Sequence, residues 1–157
     1  MRIGHGFDAH RFMTGDHIFL GGVKIAHYFA VEAHSDGDVI LHALCDALLG
    51  AAGLGDIGDH FPPTDPQYKD MDSRQFVRRV YQLLQTQWRI ANVDITLVAQ
   101  MPRIKAYKAQ MKENIAEDLN LASSLVNIKA TTTENMGYLG REEGIAAYAV
   151  ALLLPVS

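Results

Sequence analysis

Apolar residues recur at three- and four-residue steps after Asp38, which is the spacing expected for one face of an α-helix. This apolar stripe consists of Leu41, Leu44, Leu48 and Ala52. Asp38, His42 and Asp46 lie four positions apart and form a second, polar stripe on the same helix. The pattern predicts a core helix that ends in the glycines after residue 49 and turns its polar stripe toward a site. A polar face in contact with solvent alone is the alternative interpretation.

The remaining patterns predict strands, a hairpin and two further helices. Along residues 1–10, alternation predicts a strand with Ile3, His5 and Phe7 on one face and Asp8 and His10 on the other. The other predicted elements are a hairpin around Gly21-Gly22, a loop over 56–72, a helix after Asp72 with Phe76, Val77, Val80, Leu83, Leu84 and Trp88 buried, a strand over 92–100, a helix marked by Ile104, Tyr107, Met111 and Ile115, a strand over 126–132, a loop over 133–144, and a central strand over 145–154 that is buried on both faces.

This order of elements predicts an α+β fold, in which a mixed β-sheet carries helices on one side and a small hairpin near the N-terminus. The strand over 92–100, the helix after it and the strand over 126–132 predict one right-handed βαβ crossover. A length of 157 residues is that of one domain, so residues 1–157 are expected to fold as a single unit.

Composition excludes several classes of protein. The chain is 48% hydrophobic and 20% charged, with no repeated tract and no apolar run long enough to span a membrane. A net charge of −4 argues against nucleic-acid binding, and any anionic ligand would need metal ions or backbone amides to hold it. The single Cys45 excludes an internal disulfide and suits a reducing compartment, so we expect a cytoplasmic protein. Its place beside the apolar stripe favours a buried thiol over a nucleophile.

Asp8 and His10 carry the sharpest chemical signal in the sequence. Residues two apart on a strand project from the same face, close enough to share one metal ion. His42 on the polar helix stripe is the obvious third ligand, and two imidazoles with one carboxylate form a normal catalytic zinc set with an open fourth position. The alternative is a strand end that merely holds two polar residues.

Further polar residues suggest an anion site. His34 could donate a hydrogen bond to an anion, and Asp46 could accept one from the second ring nitrogen of His42, although an exposed helix charge is an equal alternative. Thr131, Thr132, Thr133 and Glu134 follow a strand directly, where hydroxyls suit phosphate oxygens and a carboxylate suits Mg²⁺. Residues 100–105 lead from a strand into a helix, where free amides suit an anion or a base edge. The histidines at 5, 17, 27 and 60 are interpreted as structural or surface residues.

Four segments together resemble the 2-C-methyl-D-erythritol 2,4-cyclodiphosphate synthase family. They are GHGFDAH at 4–10, AHSDGDVILHALCDALLGAAGLGDIGDHFP at 33–62, ATTTE at 130–134 and GREEGIA at 140–146. The resemblance extends over nearly the whole chain. It implies a homotrimer of α+β subunits whose sheets face the trimer axis, with active sites at the interfaces between subunits.

The resemblance also implies roles for individual residues. Asp8, His10 and His42 match the zinc ligands, Glu134 matches the ligand of Mg²⁺ or Mn²⁺, and His34 and Thr132 match the transition-state stabilisers. The implied substrate-binding residues are Asp8, His10, His34, Ser35, Asp56, Ile57, Gly58, Phe61, Asp65, Ala99, Gln100, Met101, Pro102, Arg103, Ile104, Lys105, Thr131, Thr132, Thr133, Glu134, Tyr138 and Arg141. Tyr148 stands where the family has a glutamate near the trimer axis.

The implied reaction lies in the non-mevalonate isoprenoid pathway. The 2-phosphate of 4-diphosphocytidyl-2-C-methyl-D-erythritol 2-phosphate attacks the β-phosphate, closes a ring and releases CMP. Such a reaction needs positioning and charge neutralisation but no protein nucleophile, so one zinc ion per subunit and a second divalent cation suffice. A zinc-dependent phosphohydrolase and a zinc-stabilised binding module remain the alternatives.

Overall fold

The computed structural model describes residues 1–156. The strands are β1 (Arg2–Thr14), β2 (His17–Leu20), β3 (Val23–Ala26), β4 (Phe29–Val31), β5 (Trp88–Val98), β6 (Val126–Thr131) and β7 (Gly144–Pro155). The helices are α1 (Val39–Ala52), α2 (Ile57–His60), α3 (Ser73–Leu84), α4 (Lys108–Asp118) and α5 (Gly137–Gly140). None of these helices is long and apolar enough to cross a membrane.

Five strands form one mixed sheet in the order β4-β1-β7-β5-β6, and β2 pairs with β3 in a separate hairpin. Only β5 and β6 run parallel, and they are joined through α4, as the predicted crossover requires. The α+β class, the mixed sheet and the hairpin are therefore confirmed. Gly21 and Gly22 both adopt positive φ angles in the hairpin turn, and their amides donate to the carboxylate of Asp38 at the start of α1.

Helices α1, α3 and α4 lie on one side of the sheet, where α1 fills the core, whereas Leu139 of the short α5 packs against Val98 and Ala146 on the other face. Ten of its residues are buried, and it contacts β1, β7 and β5 along one side and α3 along another. The opposite face of the sheet exposes large apolar side chains, namely Ile3, Phe7, Tyr148 and Val150. The ring centroids of Tyr148 and Phe7 lie 4.9 Å apart on that face.

Several predicted boundaries were wrong. Strand β1 continues to Thr14, where it pairs with the unpredicted β4. Helix α3 ends at Leu84, so Trp88 belongs to β5, and Leu83 is exposed. The segment 56–72 contains α2 and one turn of 3₁₀-helix, and the segment 133–144 contains α5.

Strand β7 is central, as predicted, but it is buried on both faces only over its first four residues. Tyr148 and Val150 are each 41% exposed in the chain, which corrects the prediction of burial on both sides. Alanines at 147, 149 and 151 form the other face, where small side chains let α1 approach the sheet.

Candidate active site

Asp8, His10 and His42 come together because β1 and α1 pack unusually closely. Alternation along β1 places Gly4 and Gly6 on the same face as Asp8 and His10, and both glycines are buried under α1. A Cβ atom on Gly4 or Gly6 would lie 1.9 Å from a backbone carbonyl oxygen of α1. Only glycine permits this approach, which brings the imidazole of His42 next to Asp8 and His10 in the middle of β1.

The three ligand atoms form a nearly equilateral triangle. Oδ2 of Asp8 lies 3.0 Å from Nε2 of His10 and 3.1 Å from Nδ1 of His42, and the two nitrogens are 3.2 Å apart. Tetrahedral zinc with bonds of 2.0–2.1 Å places neighbouring ligand atoms about 3.3 Å apart, so the spacing fits such an ion. Within residues 1–156 this is the one cluster of three or more His, Cys, Asp or Glu side chains with metal-binding geometry.

Charge and hydrogen bonding suit this cluster to a cation. Burial raises the pKa of Asp8, but hydrogen bonds from His10 and His42 outweigh burial and lower that pKa to about 2. Burial lowers the pKa of His42, whereas the hydrogen bond and charge of Asp8 outweigh burial and raise it. The carboxylate of Asp8 is therefore ionised at neutral pH and available to a metal ion.

The second ring nitrogen of His42 faces two serines. Nε2 lies 2.8 Å from Oγ of Ser73, the first residue of α3, and 3.2 Å from Oγ of Ser35. Asp46, for which acceptance from this nitrogen was one of two equal interpretations, instead accepts from the amide of Ile57 at 2.8 Å. Asp38 does not face the site either, since it is fully buried as the N-cap of α1.

A cavity of about 260 Å³ opens beside the three ligands, and we call it the His42 cavity. Its lining residues come from β1, from the segment before α1, from α1 itself, from the segment 57–68 and from α3. They are His10, Ala33, His34, Ser35, His42, Ile57, Gly58, Phe61, Pro63, Tyr68 and Phe76. The predicted residues His34, Ser35, Ile57, Gly58 and Phe61 therefore share one cavity with the ligand cluster.

Asp56 and Asp65 do not line the His42 cavity, although both were predicted to bind substrate. The carboxylate of Asp56 accepts from the amide of Asp59 and caps α2. The carboxylate of Asp65 accepts from the backbone and the side chain of Gln67. Both groups shape the loop that forms one wall of the cavity.

A second cavity, of about 500 Å³, lies where β5 and β6 end, and we call it the strand-end cavity. Its lining contains seven of the predicted substrate residues in one run, then three more positions at the end of β6 and one lysine. They are Ala99, Gln100, Met101, Pro102, Arg103, Ile104, Lys105, Ala130, Thr131, Thr132 and Lys108. The cationic side chains at 103, 105 and 108 make this cavity suitable for an anion.

The turn after β6 places hydroxyls and a carboxylate next to the strand-end cavity. Glu134 and the following Asn135 adopt positive φ angles of 53° and 63°, which reverse the chain. The hydroxyl of Thr132 lies 3.4 Å from the carboxylate of Glu134 and accepts from its amide. The amide of Thr133 donates to the side chain of Gln100, which ties the turn to the other wall.

Tyr138 and Arg141 lie outside both cavities. The side chain of Tyr138 is 46% exposed and lines another cavity, of about 260 Å³, together with His10, Arg11 and Glu143. The guanidinium of Arg141 pairs with the carboxylate of Glu143 at 2.8 Å. Tyr138 thus shares a cavity with one of the three ligands, His10, although it does not line the His42 cavity.

Sequence reasoning missed Ser73, Tyr68, Phe76 and Lys108. Ser73 is simply the first residue of the helix predicted after Asp72, and Phe76 was expected only as one of its buried residues. Periodicity assigns such residues to a face, but it does not reveal which of them a folded loop brings to a cavity. Lys108 follows Lys105 by three positions at the start of α4, and its charge was the available signal.

The comparisons with known proteins agree with the motif resemblance. The YgbB family model matches residues 1–154. The 2-C-methyl-D-erythritol 2,4-cyclodiphosphate synthase of Pseudomonas putida (strain W619) is 61% identical over 156 residues, which is 99% of each chain. The solved structure of Plasmodium falciparum IspF in complex with CDP is 37% identical, with a TM-score of 0.87 over 99% of this chain and 97% of its own. The bifunctional IspDF of Campylobacter jejuni is 41% identical, with a TM-score of 0.95, and this chain spans 42% of it. The chain thus belongs to the YgbB family, the family of the 2-C-methyl-D-erythritol 2,4-cyclodiphosphate synthases.

Proposed function

We propose that this protein is an enzyme that converts 4-diphosphocytidyl-2-C-methyl-D-erythritol 2-phosphate to 2-C-methyl-D-erythritol 2,4-cyclodiphosphate and CMP, in the non-mevalonate isoprenoid pathway. An oxygen of the 2-phosphate bonds to the β-phosphorus, and the bond from that phosphorus to the bridging oxygen breaks. CMP leaves with the bridging oxygen, so no water is consumed. The reaction requires that the chain of the substrate be folded and its negative charge be neutralised.

The observation that carries this proposal is the ligand triangle of Asp8, His10 and His42, whose two histidines line the His42 cavity, in a chain that matches the family from residue 1 to residue 154. Three protein ligands leave a further coordination position, which is the arrangement of catalytic and not structural zinc. The arrangement thus supports an enzyme over a zinc-stabilised binding module.

The proposed metal ligands are Asp8, His10 and His42 for Zn²⁺ and Glu134 for Mg²⁺ or Mn²⁺. When bound, these cations neutralise phosphate charge and make the β-phosphorus more electrophilic. His34 and Thr132 donate hydrogen bonds to the phosphate oxygens on which charge develops. The wall formed by Ile57, Gly58 and Phe61 holds the methylerythritol part and limits the access of water.

The cytidine and its phosphates are assigned to the strand-end cavity. Arg103 and Lys105 attract the diphosphate, and the backbone between Ala99 and Lys105 offers donors and acceptors to the base. Complexes of two structural neighbours with CDP support a cytidine nucleotide as the ligand type. Asp56, Asp65, Tyr138 and Arg141 complete the proposed substrate contacts as residues on flanking loops.

We further propose that the protein is a homotrimer whose active sites form between subunits. Two features support this assembly. Among the residues described, none lines both the His42 cavity and the strand-end cavity. The sheet face with Ile3, Phe7, Tyr148 and Val150 is exposed in the chain, and burial of such a face in an oligomer is favourable.

Product analysis in water enriched in ¹⁸O tests the proposed reaction. The protein with Zn²⁺ and Mg²⁺ is incubated with the cytidylated substrate, and the products are identified by mass spectrometry. Ring closure gives a cyclic diphosphate and CMP, both without ¹⁸O. A phosphohydrolase would give open-chain phosphates with one ¹⁸O atom per cleavage, and that result would refute the proposal.

A further inference from the structure

A chain of hydrogen bonds leads from His42 away from the ligand cluster. Nε2 of His42 lies 2.8 Å from Oγ of Ser73, and the hydroxyl of Ser73 donates to Oδ1 of Asp36. The backbone amide of Ser73 donates to Oδ2 of the same carboxylate at 2.9 Å. Ser73 is fully buried and the side chain of His42 is 12% exposed, so water does not replace these contacts.

The number of protons in this chain fixes the direction of each hydrogen bond. The hydroxyl of Ser73 has one proton, and the carboxylate of Asp36 can only accept it. The oxygen of Ser73 must then accept from His42, which requires a proton on Nε2. The protonated ring can donate from both nitrogens, to Ser73 and to Asp8, whereas the neutral ring with its proton on Nε2 leaves Nδ1, the nitrogen that faces Asp8 and His10, without a proton.

We propose that Ser73 and Asp36 are positioning residues that hold His42 in the tautomer with the proton on Nε2 and keep Nδ1 ready to bind the metal ion. This inference rests on the proposed metal site at Asp8, His10 and His42 and adds two residues to it. Histidines that bind metals commonly donate their other N–H group to a hydrogen-bond acceptor, and loss of that acceptor typically weakens metal binding about 10–100-fold.

A purely structural role for Ser73 can be separated from this one. The backbone amide of Ser73 already ties the start of α3 to Asp36 without the hydroxyl. Oδ1 of Asp36 also keeps a second donor, the amide of Asp38 at 3.2 Å. Ser73→Ala therefore removes the link to His42 and retains the link between α3 and the segment before α1.

Asp36→Asn provides a sharper test because it keeps the shape of the side chain. Two fixed backbone amides donate to this side chain, that of Ser73 at 2.9 Å and that of Asp38 at 3.2 Å, so we expect the single oxygen of the new amide to keep the shorter bond, from Ser73. The NH₂ group then points at Oγ of Ser73 and donates to it, so the hydroxyl must turn its proton toward Nε2 of His42. The hydrogen bonds between residue 36 and His42 then run in the opposite direction, which favours the tautomer of His42 with the proton on Nδ1.

Zinc affinity and the protonated ring nitrogen are the two measurements. We expect Asp36→Asn to lower the affinity for Zn²⁺ by about 10–100-fold in competition with a chromophoric chelator. Ser73→Ala should lower it less, because Oγ of Ser35 lies 3.2 Å from Nε2 and can still accept. The double variant should bind no more weakly than Ser73→Ala, because without the hydroxyl of Ser73 the change at residue 36 no longer reaches Nε2.

Nitrogen-15 spectra of the metal-free protein, at a pH at which the imidazole is neutral, should show the proton of His42 on Nε2 in the wild type and on Nδ1 in Asp36→Asn. The exposed Ser124, in a 3₁₀ turn far along the chain, provides the control Ser124→Ala with unchanged zinc affinity. Thermal melting of each metal-free variant establishes that it is folded.

Wild-type zinc affinity in folded Ser73→Ala and Asp36→Asn would overturn the proposal. So would lower melting temperatures with unchanged zinc affinity, since that is the result of a purely structural link. If Asp36→Asn does not fold, zinc binding by Ser73→Ala decides the question. These measurements use Zn²⁺ without substrate, so failure of the proposed reaction would leave their outcome unaffected.

Discussion

The substitution Gly6→Ala tests whether the close contact between β1 and α1 positions the metal ligands. A methyl group on Gly6 would lie 1.9 Å from the carbonyl oxygen of Ala43 and 2.7 Å from the amide nitrogen of Ala47. Both are backbone atoms of α1, so no side-chain rotation relieves the overlap. Contacts of a Cβ atom below 3.0 Å essentially do not occur, and an increase from 1.9 to 3.0 Å means that α1 must retreat by about 1.1 Å.

This displacement acts directly on the ligand triangle, because His42 immediately precedes Ala43 in α1. A preorganised site tolerates displacements of about 0.5 Å, so we expect zinc affinity to fall by at least about tenfold. Overpacking of a well-packed contact also lowers the free energy of unfolding, typically by about 1–3 kcal/mol. Chelator competition measures the first effect, and urea denaturation of the metal-free protein measures the second.

Gly50→Ala is the matched control, since Gly50 lies in the same helix and a Cβ atom there would meet nothing within 4 Å. Replacement of an unstrained helical glycine should raise the free energy of unfolding by about 0.5–1 kcal/mol and leave zinc binding unchanged. If Gly6→Ala instead binds zinc as tightly as the wild type and unfolds at the same urea concentration, close packing of α1 on β1 does not set the site.

Three further predictions concern the second metal, the buried thiol and the sharing of sites. Glu134→Gln should weaken the Mg²⁺ dependence of activity and leave zinc content unchanged, because Glu134 follows β6 and is not part of the zinc cluster; a parallel loss of zinc would contradict this. Burial raises the pKa of the Cys45 thiol well above 9.0, so above pH 9 the unfolded chain loses a proton that the folded protein keeps. The free energy of unfolding of the wild type, relative to Cys45→Ala, should then fall by up to about 1.4 kcal/mol per pH unit above 9, and a constant difference would refute the reasoning. His42→Ala and Glu134→Ala, each inactive alone, should together rebuild about a quarter of the sites when equal amounts are unfolded, mixed and refolded as random closed trimers. No CMP release from mixed trimers that native mass spectrometry has verified would show that the site is not shared.

The sequence predicted the elements that have a strong period and missed those that depend on pairing partners. The stripe of α1 and the crossover through α4 were predicted because their apolar residues recur regularly. Strand β4 has three residues, all half-buried, and it exists because β1 continues beyond His10 to pair with it. The exposed face of β7 was mistaken for a buried one because an apolar run does not reveal whether both of its faces are covered within one chain.

In the candidate site, too, residues with a regular spacing could be predicted, whereas contacts that depend on the folded chain could not. Asp8 and His10 could be paired from their spacing on one strand, and His42 from its place on a polar helix stripe. Helical spacing alone made Asp46 one candidate partner of His42, but the start of α2 provides the amide of Ile57 as its partner. Ser73 could not be placed at His42 from the sequence, because the contact joins residues 31 positions apart through the fold of the segment between them.

His42 therefore connects local and long-range determinants of the site. Its Nδ1 faces ligands of β1, and the position of the ring depends on the glycines under α1. Its Nε2 faces Ser73, so the nitrogen that carries the proton depends on how α3 docks on the segment before α1. Displacement of the ring and reversal of its tautomer are independent ways to weaken the same site. Metal binding consequently requires that β1, α1 and α3 all be packed together, although α3 contributes no ligand.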